Sequence, residues 1–286
     1  MKQTVYIMSK GELKRKANTL YLEGEEEGYY IPINDIKELF IIGEVNVTKK
    51  ALELCTKHQV ILHFYNFYEY YVGSYYPREH YNSGYMILKQ AAHYLDENKR
   101  KILAQKFIQG SAKNILKILQ YYYSRGKSVL EIKEKIEALL ETLEPRLEIE
   151  QMMAIEGQIR ETYYSAFDII LDNKDFSFDK RTKRLPQNQL NSLISFGNTL
   201  LYNCVLSEIY NTHLDPRIGY LHSTNNRRFT LNLDVAEIFK PVLVDRVIFS
   251  LISKNMLKPK HFSHTVQGVL DIYTKMGRTF TSDDYA

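Results

Sequence analysis

The sequence predicts an α+β protein, a small β-rich N-terminal domain followed by an all-α domain. Three observations predict it. Before about residue 76 the apolar residues fall in short runs rich in Val, Ile, Tyr and Phe, side chains that suit a pleated, half-buried surface. The stretch 74–84, SYYPREHYNSG, gathers Pro77, Asn82, Ser83 and Gly84, which is linker chemistry. From Tyr85 onward apolar residues recur at helical spacing. The boundaries are therefore a β domain at 1–76, a linker at 77–85 and a helical domain at 86–286.

In chain order, strands are expected at 4–8, 19–23, 28–33, 37–43, 59–65 and 68–76. The three glutamates between Gly24 and Gly28 mark a solvated hairpin tip. One helical pattern, 46–58, interrupts the strands, with Thr48 placed to cap it. In the second domain Leu103, Phe107, Ile108 and Ala112 share a helix face, and Asp96 stands at its start. Ser128 and Glu131 have capping-box spacing. Segments 188–210 and 231–253 read as further helices.

With 44% hydrophobic and 25% charged residues over 286 positions, the chain can bury a real core and is not a disordered one. No apolar run nears the roughly 20 residues of a membrane span, and the apolar stretch at the start is too short for a signal peptide. Cys55 and Cys204 lie in apolar segments without CxxC spacing, which argues against a disulfide framework and fits a cytoplasmic protein. A net charge of +4 permits acidic partners without demanding them. The 23 tyrosines serve cores and interfaces as readily as base stacking.

The chemistry sits in the helical part. Glu156 follows an apolar run, and Arg160 is four residues on, so an intrahelical pair is the plain reading. His222 lies in a turn-rich segment opened by Asp215-Pro216, where Gly219 allows an unusual backbone angle. Asp234 and Glu237, three residues apart on an apolar helix, project from one face, and burying them unpartnered would be costly. Pro241 lacks the amide that would bond the Glu237 carbonyl, so the helix is disturbed where the carboxylates sit. One imidazole and up to three carboxylates form an oxygen-rich set that suits Mg²⁺ or Mn²⁺, ions that serve phosphoryl chemistry.

Basic residues add a direction. Lys180, Arg181, Lys183 and Arg184, followed by Arg227 and Arg228, read either as solvated loops or as contacts to a phosphate backbone. Arg160 and Lys240 join them as candidate DNA contacts. His261 and His264 read as a solvated helix end, and Tyr121, Tyr122 and Tyr123 as packing or dimer surface.

Residues 178–252 resemble the catalytic half of the CRISPR adaptation integrase, the first of the CRISPR-associated proteins. The likeness rests on Ile155-Glu156-Gly157, Asn191 through Tyr202, Leu214 through His222, and Leu233 through Pro241, in that order. GELKRKANTLYL and the helix containing Gln90 extend it toward the N-terminus, and the wording is nearest to subtype I-B. The resemblance implies metal ligands at Glu156, His222 and Glu237, with Asp234 lining the site. It implies a homodimer, two of which flank the second CRISPR-associated protein. It implies double-stranded DNA substrates, a spacer precursor and the CRISPR repeat, joined by 3′-hydroxyl transesterification. Two other readings use the same residues: a stand-alone metal-dependent nuclease acting on DNA or RNA, and a non-enzymatic nucleic-acid scaffold. Members of the family usually run several tens of residues further, and where this chain has Glu237 many carry Asp.

Overall fold

The computed structural model describes residues 2–24, 27–66, 70–77, 83–178, 180–182, 188–222, 229–264 and 270–272. The chain divides into two compact units, one ending at His80 and the next beginning at Tyr81.

The first unit contains β1 (Gln3–Ile7), β2 (Gly11–Lys16), β3 (Thr19–Glu23), β4 (Gly28–Ile31), β5 (Ile36–Ile41), β6 (Val45–Val47), helix α1 (Lys49–His58), β7 (Ile61–Tyr65) and β8 (Tyr71–Tyr75). They form two four-stranded sheets, ordered β1-β5-β7-β8 and β4-β3-β2-β6. Leu13, Leu20 and Leu22 from one sheet meet Ile7, Leu39, Ile41 and Leu62 from the other, and Ala51, Leu54 and Cys55 of α1 join them in one core. Burial pushes the Cys55 thiol up to about 12, so it is a protonated packing group rather than a nucleophile. Thr48 caps α1 as expected, accepting from the Ala51 amide at 3.3 Å. The acidic hairpin also forms, with Glu23 of β3 opposite Gly28 of β4.

Several boundaries differ from the sequence reading. Strand β2 was not expected because four of its six residues are charged, and only Leu13 turns fully into the core. The short β6 takes Asn46 and Val47 from the predicted helix by pairing in parallel with β2. Pro32 ends β4 early, and Ile33–Asp35 form a 3₁₀ turn. Gln59 closes α1 in left-handed backbone, with φ 60°, so β7 begins only at Ile61.

The second unit contains α2 (Gly84–Leu95), α3 (Glu97–Tyr123), α4 (Leu130–Glu141), α5 (Ile149–Tyr164), α6 (Phe167–Leu171), α7 (Gln189–Tyr210), α8 (Leu231–Lys240) and α9 (Arg246–Ser253). Helix α3 is its spine, with α4, α5 and α8 packed along it. Asp96 caps α3 through the Lys99 amide at 3.1 Å. Ile108 and Ala112 are buried beneath it, with Leu103 and Phe107 half-buried at the edge. The capping box expected at Ser128 does not form: Val129 is the N-cap of α4, without a side-chain bond. A reciprocal cap occurs instead at α5, where the Glu148 amide donates to Gln151 Oε1 at 2.9 Å. The unit also ends in a short antiparallel pair, β9 (Phe262–His264) and β10 (Leu270–Ile272). Three residues per strand leave no alternation for a sequence reading to find.

Segment 231–253 is helical throughout but not uniformly wound. Between α8 and α9, Pro241–Asp245 form a π turn. Asn114 on α3 donates its amide to the Ile238 carbonyl at 2.8 Å, supplying a side-chain donor where the backbone ladder changes. Gly197 of α7 lies against this turn so closely that a Cβ would sit 2.7 Å from Val244 Cγ1.

Candidate functional site

The site is assembled from α5, the loop at 214–222 and α8. The loop is held from two sides. Gln90 of α2 pairs with the Asp215 backbone, accepting from its amide at 2.7 Å and donating to its carbonyl at 3.2 Å. The Thr230 hydroxyl accepts from Gly219 N at 2.9 Å and donates to Arg217 O at 2.9 Å. Gly219 is not in the left-handed region expected for it. It is glycine because a Cβ would lie 2.8 Å from Thr230 atoms.

The loop delivers His222 to Asp234. This carboxylate is fully buried and accepts the amides of Tyr220 (2.5 Å), Leu221 (3.0 Å) and His222 (2.9 Å). It also pairs with the His222 ring at Nδ1, 2.8 Å away. The desolvation that made Asp234 conspicuous in the sequence is thus repaid by four hydrogen bonds. With Nδ1 engaged, Nε2 is the ring nitrogen left to meet a ligand.

Glu237, one turn further along α8, meets a different set of partners. Arg160 Nη2 donates to its Oε2 at 2.7 Å, and Lys240 Nζ to its Oε1. Burial alone would raise the Glu237 pKa, but the charges and hydrogen bonds of Lys240 and Arg160 outweigh it and hold the carboxyl down to about 2. Glu156, on α5, is half-buried and accepts no hydrogen bond among the described residues. Burial and the neighbouring Glu237 charge raise its pKa, against the pull of Arg160, Lys240 and His222. Glu156, His222 and Glu237, separated by many residues in sequence, therefore lie within one electrostatic neighbourhood.

Arg160 makes the expected intrahelical ion pair with Glu156, at 3.9 Å, but its shorter bond, at 2.7 Å, goes to Glu237 across the helix interface. Its side chain is 11% exposed and Lys240's is 9%. Neither is placed as a phosphate contact, because both are committed to a buried carboxylate. Of the other basic candidates, Lys180 is exposed. Arg181 is tied to α7 through Asn191 Oδ1 (2.9 Å) and Ser195 Oγ (3.0 Å). Lys183, Arg184, Arg227 and Arg228 lie outside the described residues, as does the side chain of His264. Tyr163 is core, and Tyr164 stacks on Phe178 with centroids 4.9 Å apart. Tyr122 sets its ring edge-on to Phe249.

Sequence reasoning missed Asp245. It is 1% exposed, 3.6 Å from Arg160 Nη1, and burial raises its carboxyl to about 6 despite Arg160 and Lys240. The signal was present as a third carboxylate in the apolar stretch PVLVDRVIF, eight residues after Glu237.

Among the described residues, no three His, Cys, Asp or Glu side chains converge closely enough to hold a metal ion. The reason is local: Glu237 is drawn to two cations and His222 to Asp234. The donors nonetheless suit a hard divalent ion. Glu156 and Glu237 are oxygen ligands and His222 a nitrogen ligand. Among the described residues, Glu156, Glu237 and Asp245 gather around Arg160, Lys240 pairs with Glu237, and Asp234 pairs with His222. The Glu237 charge bears on Glu156, a repulsion that a divalent cation would offset.

Fold and site together define a two-domain α+β protein whose helical unit holds a buried acid cluster around an oriented histidine. The chain belongs to the family described as CRISPR associated protein Cas1, whose model matches residues 5–279. It is 57% identical over 270 residues to CRISPR-associated endonuclease Cas1 2 of Thermodesulfovibrio yellowstonii, covering 94% of this chain and 82% of that one. A Cas1 protein from Thermotoga maritima of known structure superposes with TM-score 0.86 at 43% identity, over 99% of this chain and 88% of the other. A casposase bound to integration product shares the fold, with TM-score 0.82 at 22% identity, over 95% of this chain and 78% of the other. No helix among the described residues is long and apolar enough to cross a membrane.

Proposed function

We propose that this chain is a metal-dependent endonuclease and integrase that inserts short foreign DNA into a CRISPR array. The observation that carries the reading is the pairing of His222 with buried Asp234 beside the acidic pair Glu156 and Glu237. The names of the relatives, CRISPR-associated endonucleases, support bond breaking at a phosphodiester.

Glu156, His222 and Glu237 would hold a Mg²⁺ or Mn²⁺ ion, which when bound polarises a phosphate and stabilises the charge that develops on it. Asp234 fixes the imidazole and keeps Nδ1 occupied. Lys240 and Arg160 keep Glu237 ionised across the working pH range. Burial of these groups keeps bulk water from screening them. In joining, the 3′-hydroxyl of the spacer duplex attacks a repeat phosphodiester, so one P–O bond forms as another breaks and no nucleotide cofactor is required. A water molecule in place of the hydroxyl gives hydrolysis at the same site.

The working assembly of this reading is a homodimer acting on double-stranded DNA with the second CRISPR-associated protein, in the cytoplasm. Complexes of Cas1 with Cas2 and with DNA occur among proteins of the same fold. The test is a plasmid carrying the CRISPR repeat, mixed with the chain, its partner, Mn²⁺ and a spacer duplex. Joined product that disappears with 3′-dideoxy ends supports transesterification. Nicking that is indifferent to the 3′ end supports a stand-alone nuclease. Binding without either reaction leaves the scaffold reading.

A further inference from the structure

Arg160 stands among three carboxylates and serves one of them well. Its Nη2 is 2.7 Å from Glu237, whereas Nη1 is 3.6 Å from Asp245 Oδ2 and Nε is 3.9 Å from Glu156 Oε1. The two longer separations exceed hydrogen-bond length. Arg160 Nη1, Asp245 Oδ2 and the Tyr163 hydroxyl are all buried and unpartnered among the described residues. A buried donor and acceptor that face each other unbonded are rare in folded proteins and call for an explanation.

We infer that Asp245 is the alternative seat of Arg160: when a divalent cation engages Glu237, the guanidinium gives up that carboxylate and closes on Asp245. The inference rests on the metal reading of Glu156, His222 and Glu237. A bound cation and the guanidinium compete for Glu237 Oε2 and repel each other. Arg160 is nearly buried and packs beside Tyr164, whose ring centroid lies 5.9 Å from the guanidinium carbon, so turning out to solvent would give up that contact. A shift of about 0.7 Å brings Nη1 to ordinary bonding distance of Asp245. Without Asp245 the displaced guanidinium would be left only with Glu156, itself a ligand of the ion in this reading, so it would stay by Glu237 and oppose the ion. Asp245 is thus a positioning residue that acts through Arg160 and touches neither ion nor substrate.

The test is calorimetric titration of the full chain with Mn²⁺ at pH 8, with thermal melts to establish folding. Asp245→Asn is expected to weaken Mn²⁺ binding about tenfold. Arg160→Gln combined with Asp245→Asn is expected to restore affinity to within about twofold of the parent, since no guanidinium then needs a seat. A purely structural role for Asp245 would give no such rescue. Equal affinity of Asp245→Asn and the parent overturns the inference and leaves the metal reading standing. Should the single variant not fold, a double variant that binds about tenfold more weakly than the parent overturns it. A parent chain that takes up no Mn²⁺ removes the metal reading and this inference together.

Discussion

Asp234 holds His222 twice through one oxygen: Oδ1 lies 2.9 Å from the His222 amide and 2.8 Å from its Nδ1. Ring and backbone are thereby locked to the same helix. Asp234→Asn would turn an amide group toward at least one of four donors. Activity is expected to fall about 10- to 100-fold, the usual size of a loss in ligand orientation. Cleavage rates and a melt of the same sample check this; an active, equally stable variant would count against the orienting role.

Glu156, His222 and Glu237 should not behave alike when truncated. Glu156→Ala and His222→Ala are expected to abolish joining with little change in melting temperature, because neither residue anchors a buried cation. Glu237→Ala strands Arg160 and Lys240, and breaking a buried pair in this way costs about 3–5 kcal/mol. Urea unfolding of the three variants side by side separates the two effects.

Two carboxyls oppose each other in the pH dependence of stability. Glu237, depressed to about 2, contributes stability that is present above its unfolded pKa of about 4.5 and lost as pH falls toward 2. Asp245, raised to about 6, binds its proton more tightly folded than unfolded, so stability declines as pH climbs from about 4 to 6. Each shift corresponds to about 3 kcal/mol, to order of magnitude. Asp245→Asn should remove the decline between pH 4 and 6 and leave the acid limb intact, as read from unfolding free energies across that range.

Gly219→Ala would press a methyl group against Thr230. The loop that carries His222 must then move, and the Thr230 bonds to Gly219 and Arg217 go with it. Destabilisation of about 1–3 kcal/mol is expected, with faster amide exchange confined to the 214–222 loop. Uniform exchange across the helical unit would mean the effect is not local.

Among the basic residues proposed as DNA contacts, Lys180 is exposed and unburdened by the bonds that hold Arg181. Lys180→Glu is expected to weaken DNA binding and reduce the slope of log affinity against log salt by about 1. An unchanged slope rejects the contact.

The order of a β-rich region followed by a helical one was legible because the hydrophobic period changes from about two to 3.6 near residue 85. Thr48 and Asp96 were legible because a cap is a local event, settled within three residues. Strand β2 was not, since its pairing partners supply what its own charged composition denies. The acidic residues stood out through the cost of burying them. What else each one binds could not be read: spacing gave Arg160 as a neighbour of Glu156, which it is, but not its shorter bond to Glu237 on another helix. Asp245 escaped notice because helical arithmetic misplaces it.

That misplacement has a consequence. In a helix of 3.6 residues per turn, a residue eight positions on sits about 80° round from its reference. The π turn at Pro241–Asp245 winds more slowly and brings Asp245 back toward the side occupied by Glu237. If the same residues wound regularly with none removed, everything beyond the turn would rotate by about 100°, one residue's step. Phe249 and Ile252 would then leave the interior they now fill. The phase of α9 and the reach of Arg160 are therefore set by the same turn.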